Sequence, residues 1–244
     1  MEYTPSYNNF LELLRIIKKT NRIMKFTEIN ANTDEFVILR HDIEFDVSRA
    51  YQMASIEHTY GTKATYFVQI ESDAYNPFSE NNREMLNAIT QMGHSLGLHF
   101  RQREDERENI AEIARQLDVL KGAFPESERI FSCHMPKRDS FYHTYKIENA
   151  INAYSEPFFY RTANPAGAPT RYITDSRWEW NYGEPTPQFF IDCPRVQLLI
   201  HPFRWSARGD GVYETFEKLG IFKTIELEET YIAEDGVYQG AINE

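Results

Sequence analysis

Cysteine is scarce in this 244-residue chain. There are two, Cys133 and Cys193, set far from any zinc-finger or thioredoxin spacing. Each therefore reads as a free thiol, and the scarcity points to a reducing compartment. Positive charge is also in deficit. Twenty-six Lys and Arg against 37 Asp and Glu leave a formal net charge of −11. That balance argues against non-specific binding to a nucleic acid polymer or an anionic membrane surface, while leaving room for a local basic pocket. No apolar run approaches the roughly 20 residues that span a bilayer. The N-terminal Met-Glu-Tyr-Thr-Pro-Ser has no basic segment followed by an apolar one, so no signal peptide is expected and the protein reads as cytoplasmic. Internal repeats, low-complexity segments and sharp breaks in composition are missing too. This leaves one domain over 1–244, with an N-terminal helical cap over 1–33 and a C-terminal helix and tail over 206–244.

What is present supports a substantial core: 41% hydrophobic residues, with aromatics at 14%. The most informative stretch is 37–46, Val-Ile-Leu-Arg-His-Asp-Ile-Glu-Phe-Asp. A buried strand is expected over 36–40, and it runs straight into His41, Asp42, Glu44 and Asp46. Desolvating a carboxylate costs several kcal/mol unless it is paired or bound to a metal. Either the strand enters a polar surface loop, or it forms one wall of a metal or acid–base site.

Hydrophobic spacing predicts a helix over 9–24, then strand–helix units that repeat through the first half. A stripe of Ala50, Met53, Ile56 and Tyr60 suits a helix that Asp46 or Ser48 can cap and Gly61 can end. Strands are expected at 63–70, 95–98 and 129–133, with helices after Ser79 and over 105–121. Such alternation implies a parallel sheet with helices outside. In the second half, prolines at 157, 165, 169, 185 and 187 mark loops, and strands are expected at 171–174 and 196–200. Residues from Tyr213 to Tyr238 read as a helix, a short strand and a tail.

Titratable residues recur where these strands end: Asp42 and Glu44, then His99, His134, Asp175 and His201. In a parallel α/β barrel the C-terminal strand ends share one face, where active sites form. Histidine and carboxylate ligands with one open position are what a catalytic zinc-like ion requires. Taken singly, His134 or His94 reads more readily as a hydrogen-bonded structural histidine, and Asp175 as a turn cap. The shared placement is what raises the group above its members.

Several short motifs, in order, resemble those of the NodB-type polysaccharide deacetylases, the family 4 carbohydrate esterases. Arg40-His41-Asp42-Ile43-Glu44 is similar to the first motif of the subgroup that looks like the WbmS protein of O-antigen gene clusters. Ala64-Thr65-Tyr66-Phe67-Val68 is similar to the family's second strand. Gly93-His94-Ser95-Leu96-Gly97-Leu98-His99 is similar to its Gly-His-Glu-x-Gly-x-His segment. His134-Met135-Pro136 falls where the wider family has Arg-x-Pro, Asp175-Ser176-Arg177-Trp178 resembles its Asp-and-Trp motif, and Leu198-Leu199-Ile200-His201-Pro202 matches its late Leu-His motif. The resemblance covers about 35–205.

It implies a distorted (β/α) barrel and a metal-dependent carbohydrate N-deacylase acting on a small amino-sugar substrate, with zinc as the expected divalent ion. Asp42 takes the place of the catalytic base and His201 that of the general acid. Glu44 and His99 take the places of metal ligands. The family usually has a second histidine four residues after the first, and here that position is Arg103. Arginine stays protonated and cannot ligate a metal, so His134, from the next strand, is the third ligand this sequence offers; otherwise metal binding is weakened or lost. Arg103, Asp175 and Trp178 are candidate substrate-binding residues. Arg101, Arg138 and Arg204 are candidates for a carboxylate or phosphate on the substrate. Phe158, Phe159, Tyr160, Trp178, Trp180 and Trp205 offer sugar-stacking surfaces, with core packing the plainer reading for most. Three function classes stay open: the N-deacylase, a non-catalytic sugar-binding or assembly protein on the same fold, and a metal hydrolase of another amide or ester. The sequence leaves the oligomeric state unread.

Overall fold

Alternation along the first strand sets the architecture. In the computed structural model, which describes residues 3–20, 22–30, 32–136, 142–159 and 169–240, β1 spans Phe36–Ile43 and is buried throughout. The strand was expected to stop at residue 40. It continues because each charge that follows finds a buried partner: Arg40 pairs with Asp42, and His41 Nε2 lies 2.7 Å from Glu57 Oε1. Successive side chains on a strand face opposite ways. Phe36 and Ile38 point into a small cluster with Phe26, Phe67, Ile130 and Phe158. Val37, Leu39 and Ile43 join the larger cluster that faces the helices. Arg40 and Asp42 continue the inward row.

Six further strands join β1: β2 (Thr65–Val68), β3 (Ser95–Arg101), β4 (Ile130–His134), β5 (Ile151–Asn152), β6 (Arg171–Thr174) and β7 (Arg195–Ile200). All pair in parallel, in the order β5-β4-β3-β2-β1-β7-β6. The intervening segments supply the helices, as parallel crossovers require: α2 (Val47–Tyr60), α3 (Glu80–Gln91) and α4 (Glu106–Ala123). Before β1 lies α1 (Tyr7–Lys18), and before β7 the short α5 (Pro187–Asp192). Met53 of α2, Leu86 and Ile89 of α3, Leu117 of α4 and Phe10 of α1 bury against the outward rows of the sheet. The cap at Asp46 is as expected: its carboxylate accepts from the Ser48 and Arg49 N–H groups at 2.9 and 3.3 Å.

The sheet curls until its two edges face each other. Gln197 of β7 donates through its amide to the carbonyls of Ala153 and Phe158, just beyond β5, at 3.0 and 2.9 Å. Tyr172 of β6 meets the ring of Phe159 at 5.3 Å. Side chains rather than a ladder bridge the gap between β5 and β6, so this is a distorted (β/α) barrel left open at one seam. Apolar side chains fill its lower interior, which leaves the C-terminal strand ends as the place for polar groups.

Two expectations need correction. The first helix ends at Lys18, not 24, because Thr20 Oγ1 donates to the Ile17 carbonyl at 2.7 Å and Ile23 then bridges in parallel to Val37. The stretch from Tyr213 holds no strand. It is one helix, α6 (Val212–Asp235), with Thr215 and Leu219 buried. Glutamates at 214, 217, 226, 228, 229 and 234 favour helix along the whole segment. No helix among the described residues is long and apolar enough to cross a membrane.

Candidate active site

The inward rows of four strands, β1, β3, β4 and β7, deliver their polar residues to one mouth. Asp42 is the last inward residue of β1, and Glu44 follows it by two. His99 lies on β3, where it pairs in register with Ser132 of β4, and His134 ends β4 opposite Arg101. His201 follows β7 directly, and Asp175 follows β6.

Glu44, His99 and His134 form a cluster able to hold a metal ion. His134 Nδ1 lies 3.1 Å from Glu44 Oε1 and 3.1 Å from His99 Nε2, and the remaining side of the triangle is 3.9 Å. Ligand atoms placed tetrahedrally at about 2.0–2.2 Å from an ion stand about 3.3–3.6 Å apart, so the three atoms bracket the separation an ion needs. The donor set suits one as well. With its proton on Nδ1, donated to Ser132 Oγ at 2.8 Å, His99 turns a bare Nε2 lone pair toward the other two. Burial lowers the His99 pKa against the pull of Asp42 and Glu44, which favours the neutral imidazole that binds metal. Burial opposes charge on Glu44, but the hydrogen bond of His134 and the field of His201 hold its carboxyl far below the usual range. Partners that orient metal ligands typically contribute 10- to 100-fold to affinity. Replacing Ser132 by alanine should therefore weaken metal binding by roughly 10- to 100-fold, read by competition with a chromogenic chelator. An unchanged affinity would remove Ser132 from this role.

Two proton-handling pairs flank the cluster. Asp42 Oδ2 is 3.6 Å from His99 Nε2. Both its oxygens accept from the fully buried Arg40, Oδ1 from Nε at 2.9 Å and Oδ2 from Nη2 at 2.8 Å. Burial raises the Asp42 pKa, and the charge and hydrogen bonds of the Arg40 guanidinium more than offset it, leaving the carboxyl below its ordinary value. On the other side His201 Nε2 is 3.8 Å from Glu44 Oε1, and its Nδ1 donates to Asp175 Oδ1 at 2.6 Å. Burial lowers the His201 pKa, and Asp175 outweighs it and raises the group above an ordinary histidine.

Other expected residues lie elsewhere. Asp175, read as substrate-binding, is completely buried behind His201, where Trp205 Nε1 also donates to it at 2.9 Å; it positions His201 and does not face the mouth. Arg103 is exposed beyond the end of β3 and pairs with Glu112 at 3.3 Å and Glu71 at 3.7 Å. Trp178 is half-buried with the Arg204 guanidinium 5.5 Å from its ring. Arg204 is buried and donates to the Asp175 carbonyl, while Arg101 is exposed and pairs with Asp73 at 3.1 Å. Phe158 belongs to the barrel interior, and Trp205 to the core. Arg138 and Tyr160 fall outside the described residues. His94, within the Gly-His segment, faces the helices, where its Nε2 donates to the Ala54 carbonyl at 3.0 Å. Sequence reasoning passed over Arg40 and Ser132 as site residues. Their signal is parity: each stands two residues before a named site residue on the same strand, and so on the same face.

Fold and site together define an open (β/α) barrel with a Glu-His-His cluster at the C-terminal mouth, between an Asp–Arg and a His–Asp pair. No protein-family model matches the sequence, and no curated protein matches it. Among solved structures the chain is similar to a family 4 carbohydrate esterase from Bacillus anthracis at 12% identity and a TM-score of 0.43, covering 88% of this chain and 85% of that one. It is also similar to a pseudoenzyme of that family from Bacillus anthracis, at 12% identity and a TM-score of 0.43, over 85% and 75% of the two chains. A third likeness is to the chitin deacetylase of the fungal pathogen Colletotrichum lindemuthianum, at 15% identity and a TM-score of 0.34, over 41% and 46%.

Proposed function

We propose that the protein is a metal-dependent hydrolase that removes an N-acyl group, acetyl or formyl, from an amino sugar or sugar nucleotide. The observation that carries this reading is the Glu44–His99–His134 cluster with a carboxylate 3.6 Å to one side and an imidazole 3.8 Å to the other. A divalent ion bound there, zinc by its N/O donor set, supplies Lewis acidity for a carbonyl oxygen and lowers the pKa of a water. Asp42 accepts the proton of the attacking water at a carboxylate oxygen whose other contact is Arg40. His201 carries a proton at Nε2 and passes it to the nitrogen as the C–N bond breaks, leaving a free amine and a carboxylic acid. Asp175 holds the His201 ring through Nδ1, which keeps Nε2 directed at the mouth. The resemblance to the WbmS-like motifs favours a substrate of surface-polysaccharide or O-antigen synthesis, handled in the cytoplasm.

A second reading, a sugar-binding protein without catalysis, draws on Arg103 at the position where the family has its second histidine, and on Asp42 being a weakened base. Metal analysis with an assay of acetate and formate release from amino sugars and their nucleotides separates the two. His201→Gln is the better probe of proton transfer, because Asp42→Asn would turn an amide NH2 toward the Arg40 guanidinium. Release should fall about 10²- to 10⁴-fold in His201→Gln with metal content unchanged. A wild-type protein that binds no metal and releases neither acid sinks the hydrolase reading.

A further inference from the structure

A cavity of about 290 Å³ opens beside Glu44 and His134 and is lined also by Gln69, Phe45, Asp73 and Arg101. Its size stands at the small end of ligand sites, enough for one sugar ring with its acyl group. Gln69 is its unusual member. The residue follows β2 directly, and parity places it on the inward row: Phe67 faces the barrel interior while Tyr66 and Val68 face the helices. It is 3% exposed. Its backbone N–H donates to Tyr75 Oη at 2.9 Å, and that hydroxyl donates to the Ile43 carbonyl at 2.9 Å. Tyr75 thus straps the end of β2 to the end of β1, one residue from Glu44. The side-chain amide makes no hydrogen bond with any described residue. The amide borders the cavity, where one ligand hydroxyl can meet both its donor and its acceptor.

We infer that Gln69 is a specificity-determining residue, hydrogen-bonding a ring hydroxyl of the sugar whose acyl group sits at the Glu44–His99–His134 cluster. The inference rests on the N-deacylase reading for the placement of that ring. Gln69 offers both a donor and an acceptor and no charge. Arg101 at the rim is already paired with Asp73. The lining is therefore suited to an uncharged hydroxyl, not to a phosphate or carboxylate. A site built to bond a hydroxyl rejects the analogue that lacks it, because its own polar group is then left unpaired.

The test uses N-acetylglucosamine and N-acetylgalactosamine with their 3-, 4- and 6-deoxy analogues, binding measured by calorimetry on the metal-loaded protein. Wild type should lose roughly 10- to 100-fold in affinity for one deoxy analogue. Gln69→Ala, and the volume-conserving Gln69→Met, should bind parent and analogue equally, with metal content unchanged. A loss spread evenly over all analogues, no change in discrimination, or a wild type that binds neither parent sugar overturns the assignment. Acyl release is scored separately. Discrimination without release would retain Gln69 and remove the hydrolase, whereas release with Gln69 variants indifferent would do the reverse.

Discussion

Arg40→Met should destabilise the fold by about 3–5 kcal/mol, the usual cost of removing one partner from a buried ion pair. The guanidinium is fully buried and carries four contacts at once. It binds both oxygens of Asp42, donates to Gln197 Oε1 at 3.1 Å and donates to Tyr154 Oη at 3.0 Å. It also lies 4.5 Å from the Tyr154 ring. These partners come from β1, β7 and the segment after β5, so Arg40 joins the centre of the sheet to both sides of its seam. Methionine fills much of the space but leaves Asp42 charged, buried and unmatched, and removes a donor from Gln197. The double variant Arg40→Met with Asp42→Leu should recover most of the loss, since an apolar pair can replace a buried ion pair at little net cost, yet should release no acid. Urea unfolding monitored by tryptophan fluorescence reads both. A double variant as unstable as the single one would show that Arg40 acts through Gln197 and Tyr154 rather than through the charge of Asp42.

That ion pair also shows what the sequence could and could not disclose. Alternating strand and helix patterns, and the titratable residues at strand ends, were legible from hydrophobic periodicity and local charge, and they sufficed for the parallel barrel. Parity along one strand was legible in principle: Arg40 and Asp42 are two apart and share a face. Register between strands was not, because it depends on contacts far apart in sequence. Only the pairing of His99 with Ser132 reveals why His99 turns Nε2 toward the mouth. The same limit explains Asp175. At the end of a short strand it looked free to meet substrate, while its partners, His201 and Trp205, arrive from a segment more than twenty residues later. The long α6 differs for another reason: its glutamates carry helix propensity through the stretch where a short strand was expected.

Asp175→Asn should lower acyl release by about 10²- to 10⁴-fold while sparing metal binding, by analogy with the loss when the carboxylate behind a catalytic histidine is made an amide. Each oxygen of Asp175 is a required acceptor. Oδ1 takes the His201 Nδ1–H at 2.6 Å and, with Oδ2, the His201 backbone N–H at 3.1 and 3.2 Å. Oδ2 takes the Trp205 indole N–H at 2.9 Å and the Tyr3 hydroxyl at 3.4 Å. Asparagine has a single oxygen, so whichever way it turns, an NH2 faces donors. If the oxygen stays with His201, the indole N–H is orphaned in the core and stability falls by about 1–3 kcal/mol. If it turns to Trp205, the amide favours the His201 tautomer with its proton on Nε2 and a lone pair on Nδ1, and the imidazolium loses its counter-charge. The first orientation moves the unfolding midpoint more than catalysis, and the second lowers kcat with KM nearly unchanged. Asp175→Glu, which keeps both oxygens, should restore part of the rate. An Asp175→Asn protein that retains full kcat and full stability would show that His201 takes no orientation from this carboxylate, and would remove it from the proposed proton transfer.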